Sequence, residues 1–279
     1  MTVVLLPVSI LLGAHYQAAV TLKFKPPVGA TYRYAMTGDM NMVMSGGPKG
    51  AGGAGGLGGP IKMGFSSDLS MKVLDRKNGI STIESKTGAP KITAPEGSPF
   101  AAMMKQGIDK SGGKGQTGKA EIDEQFHLHS GSFGGGKAAM GGDNSQMFQY
   151  LYYPSHPLHV GDTWQSKLDL GKMMGSMGSA GGAAMGGMKI KGDLPLKFKL
   201  VGIDHVNGFT IARITLSVDG TMTMNMSGTD MPMKMKIDGH YTVDAASGMT
   251  RSCDFSSSTN ANIMGMNMQQ KMSYKLTPK

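Results

Sequence analysis

The residues of this chain best suited to chemistry are methionines repeated at every second position, because thioether sulfur is a soft ligand for Cu(I) or Ag(I). In MTGDMNMVM they stand at 36, 40, 42 and 44, and further sets are Met222, Met224 and Met226, then Met231, Met233 and Met235, then Met264, Met266 and Met268. An extended backbone puts i and i+2 on one face about 7 Å apart, so two sulfurs of one strand and a third from a neighbour can close on one ion. A soft-metal site drawn from Met222, Met224, Met226, Met264, Met266 and Met268 is therefore one expectation. His127 and His129 share a face in the same manner, and His156 lies close to His159. The competing expectation is that Met replaces Leu and Val as a flexible core filler. The filler reading is favoured, since Met is raised along the whole chain (27 of 279 residues) and the loop methionines are embedded in Gly without His or Cys.

Other chemistries fail on spacing. GKGQTGKA at 113–120 has the G-x4-G-K spacing of a phosphate loop, but Ala120 stands where Ser or Thr must ligate magnesium and a strand pattern follows it. There is no G-x-S-x-G elbow and no H-E-x-x-H, and Glu121, Asp123 and Glu124 fall on an expected strand with alternating sides. The chain therefore reads as non-enzymatic, with no cofactor. Its net charge of +9 invites a nucleic-acid reading, yet only four of 28 basic residues are Arg and no stretch interleaves basic with stacking aromatic residues. Nucleic acid is excluded as a partner, and a solvated Lys-rich surface remains.

Period-two patterning predicts the elements that must position these residues: an all-β, mainly antiparallel protein. Besides the Met strands, good strands are LSMKVLD (69–75), GISTIES (79–85), AEIDEQFHLH (120–129), LKFKLVGID (196–204), GFTIARITLSVDG (208–220) and KIDGHYTVDA (236–245). Asn78-Gly79 and Asn207-Gly208 mark two hairpin tips. Three ordered matches argue for two repeated β units: VGATY (28–32) with VGDTW (160–164), 69–85 with 196–214, and GKAEID (118–123) with GHYTVD (239–244). Long Gly/Met-rich loops lie at 45–60, 110–119, 131–142 and 171–188, too poor in apolar area to offset their ordering entropy. Two short helices are expected at 99–108 and 145–153. The division is 1–19 as a signal peptide, 20–144 as the first β unit, 145–159 as a linker and 160–279 as the second.

The signal is VVLLPVSILLGA (3–14), the length of a secretory apolar run and too short to span a bilayer as a helix, with small residues at Ala14, Ala18 and Ala19 and the polar, Pro-containing segment LKFKPPVG (22–29) following abruptly. A single Cys, Cys253, forms no internal disulfide. An extracytoplasmic location follows: periplasm, cell envelope or secreted.

HVGDTW (159–164), the L-x-x-x-L-x-x-x-D-x-x-N-G shape and G-x-Y-T-x-D-x-x-x-G (239–248) resemble the motifs of a family of secreted bacterial β proteins, a domain of unknown function. The resemblance covers roughly residues 22–279, implies export and the β fold, and brings no catalytic residues with it. If each unit forms one curved sheet, their Met-lined faces either close on one another or stay open around a lipid or acyl chain. Phe148, Tyr150, Tyr152, Tyr153 and Trp164, the densest aromatic cluster, form the candidate ligand-binding rim. The expected role is binding or structural, with a lipid or other apolar ligand or an envelope protein as the partner classes left open.

Overall fold

The computed structural model describes residues 19–46, 60–95, 115–131, 151–169, 189–226, 229–263 and 266–279. Within them the chain is all-β and antiparallel. The first half contributes β1 (Thr31–Gly46), β2 (Ile61–Lys77), β3 (Ile80–Thr87), β4 (Lys91–Thr93), β5 (Thr117–Ile122) and β6 (Leu128–Gly131). The second contributes β7 (Thr163–Asp169), β8 (Lys189–Lys191), β9 (Asp193–Val206), β10 (Phe209–Met226), β11 (Thr229–Asp244), β12 (Thr250–Ile263) and β13 (Met266–Pro278). Two facing sheets were one expectation, but all thirteen strands belong to a single sheet. Its order is β6-β5-β3-β2-β1-β13-β12-β11-β10-β9-β7, with β4 also on β2 and β8 also on β10. The physical reason is that β1 and β13 pair along their whole length, from Tyr34–Pro278 to Gly46–Met266, which fuses two meanders edge to edge.

Alternation decides which face is buried. Along β9, Leu194, Leu196, Phe198 and Leu200 are buried while Lys197 and Lys199 are exposed, so one face is apolar and the other carries Lys, Ser, Thr and Asp. Cross-strand register extends this over the sheet: Phe198 lies opposite Leu216 and Trp164, Leu216 opposite Gly239, Gly239 opposite Phe255, and Phe255 opposite Tyr274. Rings occupy the space their glycine neighbours leave. A Cβ at Gly239 would stand 2.5 Å from Phe255 Cδ1, and one at Gly38 would collide with the Phe65 ring. Both glycines are therefore needed for close approach.

Both halves contain the same local devices. Gly29 N–H donates to Val73 O (2.9 Å) and Val73 N–H to Ala30 O (3.0 Å), while Gly161 N–H donates to Leu200 O (2.7 Å) and Leu200 N–H to Asp162 O (3.0 Å). A register shift follows directly after Val73 in β2 and after Leu200 in β9. Each hairpin then turns on Asn-Gly in the left-handed region, φ 51° and 79° at Asn78-Gly79 and φ 52° and 79° at Asn207-Gly208.

Three local expectations need correction. The stretch 120–129 is two strands, because the Asp123 carboxylate accepts the N–H groups of Gln125 and His127 and turns the chain there, with Phe126 at φ 72°. The helix expected at 145–153 does not include its last three residues, which run irregularly and tie Tyr153 N–H to Gln125 O; its remainder, and 99–108, lie outside the described residues. The segment 22–29, expected to be polar, puts Leu22, Phe24 and Pro26 into the core, continuing from the buried Val20 on the period-two pattern of VTLKFK, and exposes Lys23, Lys25 and 27–29.

Candidate functional site

The sheet has two unlike ends. At the lower end, where the Asn-Gly hairpins lie, residues 19–27 cross beneath the sheet from one half to the other. Val20 bridges to Leu158, Phe24 N–H donates to Glu124 O and Lys25 N–H to Ser247 O, each at 2.8 Å. Phe24 packs edge-on against Phe126 (centroids 4.6 Å apart), which packs edge-on against Tyr153 (5.6 Å). Tyr153 is fully buried and its hydroxyl donates to Gly248 O at 2.8 Å. This is a floor made of residues 19–27 and 151–158. It also closes the seam between the two edge strands. The Tyr152 ring lies against His127 beside β6 (4.9 Å), while the Tyr152 carbonyl accepts Trp164 Nε1–H from β7 at 2.7 Å. The sheet therefore curls until its edges come within reach of one residue.

At the upper end the same apolar face changes composition. Met222 lies directly opposite Met233 and Met224 opposite Met231, all four buried. Met63 is buried opposite Met40, which is in turn opposite Met272, and Met235 and Met268 are partly buried against the core. Below them the face is Leu69, Val73, Ile83, Leu200, Ile214, Val243 and Leu276, with Met36, Met71 and Met249 as exceptions. Methionine is thus concentrated on the half of the wall away from the floor.

The structure places the aromatic candidates in the floor and seam. Tyr152, Tyr153 and Trp164 come together there, Trp164 stacking on Phe198 at 5.4 Å; Phe148 and Tyr150 lie outside the described residues. The metal candidates are not brought together as one group. Met222 and Met224 on β10 are separated from Met266 and Met268 on β13 by β11 and β12, about 14 Å at the usual strand spacing. The neighbours of Met222 and Met224 are Met233 and Met231. Met264 lies outside the described residues, as do the side chains of Met226 and Met266.

Sequence reasoning put His127 and His129 together but missed the carboxylate they share. Asp123 Oδ2 sits 2.9 Å from His127 Nδ1 and 3.0 Å from His129 Nε2. Burial pushes the Asp123 carboxyl up, but the His127 backbone N–H and the two imidazoles outweigh it and hold it below the usual range. Beside it Glu124 is held low by Lys23 (2.8 Å), despite a smaller desolvation in the other direction, and also pairs with Arg76 (2.6 Å). The signal was Asp-x-x-x-His-x-His, legible only once 123–127 is read as a turn. Among the described residues no three His, Cys, Asp or Glu side chains form a group able to hold a metal ion.

No family model matches the sequence, and no curated protein does. Among solved structures, lipovitellin, described for its lipid–protein interactions, aligns over 92% of this chain and 25% of its own at 9% identity and a TM-score of 0.45. The chain thus spans about a quarter of that protein's length. DynF of the dynemicin biosynthesis pathway of Micromonospora chersina aligns over 94% of this chain and 86% of its own (5% identity, TM-score 0.23), and a mutant Rh. blastica porin over 88% and 99% (8%, 0.26). Likenesses at these identities and TM-scores carry no argument about ligand or location.

Proposed function

We propose that this protein is a non-enzymatic, extracytoplasmic binding module that holds an apolar ligand of the lipid or acyl class against the methionine wall. The observation that carries the reading is the segregation of Met to the upper half of one apolar face whose lower half is closed by a floor of aromatic and aliphatic residues. A rigid core is built as well from Leu and Ile; unbranched, polarisable Met is favoured where a wall must adapt to what it meets. The polar face points the other way, so the sheet keeps its apolar side for its own interior. Export is supported by the apolar run at 3–14 and by the motif resemblance.

The experiment is native mass spectrometry of the full protein recovered from its own host's envelope fraction, with titration of a fluorescent acyl probe on delipidated material. A co-purifying lipid or saturable probe binding that Met222, Met224, Met231 and Met233→Leu weakens supports the proposal. Delipidated protein that takes up no probe, from a preparation carrying no lipid, overturns it.

A further inference from the structure

A groove lies on the opposite, polar face. It is about 780 Å³ and is lined by consecutive triplets 39–41, 62–64, 93–95, 256–258 and 271–273 with Lys236 and Asp238. In the triplets 39–41, 62–64, 256–258 and 271–273, strand alternation turns the central residue to the apolar face and its two neighbours toward the groove. Register puts Lys62 and Lys271 on either side of Asn41, one on each neighbouring strand. Their Cα atoms are therefore about 10 Å apart, and two side chains of that length can meet over the strand between them.

Two observations point to a ligand. Among the described residues neither Lys62 nor Lys271 makes an ion pair, whereas Lys236 is held by Asp238 at 3.3 Å. In the adjoining row Asp39, steadied by the Ser273 hydroxyl at 3.4 Å, faces the same space. A bare oxyanion would meet Asp39 as well as the lysines, so the site suits a molecule with both an oxyanion and hydroxyl donors. No aromatic lines the groove to stack on a sugar face, which leaves recognition to hydrogen bonds and charge.

We infer that this groove binds a small polyhydroxylated anion, a sugar acid or sugar phosphate, with its oxyanion on Lys62 and Lys271 and its hydroxyls donating to Asp39. The site is separate from the methionine wall and stands whether or not that wall takes an acyl chain. The test is an NMR titration of the full chain with glucuronate, glucose 6-phosphate, inorganic phosphate and glucose at about 150 mM salt, where diffuse surface attraction is screened. Saturable shifts at Asn41, Lys62 and Lys271 are expected with glucuronate or glucose 6-phosphate, the two distinguishing a carboxylate from a phosphate ligand. Binding of phosphate and of glucose is expected to be at least about tenfold weaker, the size of one lost charge-assisted contact. Lys62→Gln with Lys271→Gln lowers affinity about tenfold or more, Lys167→Gln with Lys197→Gln on distant strands does not, and melting curves show both variants folded. The inference is overturned if neither sugar anion saturates by about 10 mM, or if the distant lysine pair matters equally.

Discussion

Gly248→Ala should be among the most damaging single-methyl changes in the molecule. Gly248 has φ 68°, and a Cβ there would stand 2.6 Å from Lys23 C and 2.7 Å from Phe24 Cα, with Lys23 O closer still. These are backbone atoms of the floor and cannot swing aside. The left-handed conformation alone costs an alanine about 1–2 kcal/mol. To relieve the collision, the segment carrying Val20, Leu22 and Phe24 must lift, and each of those fully buried side chains is worth about 1.5–3 kcal/mol. Loss of Phe24 burial alone brings the total to about 2.5–5 kcal/mol, a large fraction of a typical domain's 5–15 kcal/mol. Gly208→Ala is the control, since its φ is 79° but nothing lies within 4 Å of a Cβ there. It should cost only the conformational part. Urea denaturation of both variants is the assay. If Gly248→Ala falls within about 1 kcal/mol of Gly208→Ala, the packing of the floor against Gly248 does not contribute to stability.

Tyr153→Phe removes the buried hydroxyl that donates to Gly248 O and should cost about 1–3 kcal/mol in the same urea measurement. Asp123 is held below its ordinary value in the folded state, so its contribution is present above about pH 4 and is lost as pH falls through the depressed folded value; Asp123→Asn should flatten acid unfolding in that window. Burial raises the Cys253 thiol to about 12, so a thiol reagent at pH 8 should leave the native protein untouched and react fully once urea unfolds it. Replacing Met222, Met224, Met231 and Met233 by Leu should cost under about 1.5 kcal/mol per site in thermal melts. A Cu(I) competition titration on the wild type should find no tight stoichiometric site, and a tight one abolished by the four changes would favour the soft-metal alternative.

The strands were legible because alternation is a local property, and it alone marked 196–204 and the run holding Met222, Met224 and Met226 as extended. The single sheet was not legible. Pairing of β1 with β13 depends on complementarity between segments at opposite ends of the chain, and no local pattern announces it. The same holds for the site. Parity put Met222 and Met224 on one face, but only register identifies Met233 and Met231 as their neighbours in place of Met266 and Met268. The floor was half legible. VTLKFK alternates, yet Lys23, Lys25 and the following prolines made 22–29 read as a polar segment. What makes it core is its contact with Glu124, Leu158 and Ser247, three places far apart in sequence.

The pairing of β1 with β13 also sets the order in which this molecule can assemble. Every other neighbour in the long meander is the next strand or nearly so, and can form as the chain emerges. The junction of the halves has to wait, and loop closure over so long a separation makes such contacts slow to form. Until then β1 and its Met-bearing face are an uncapped sheet edge, the kind of surface that captures other chains.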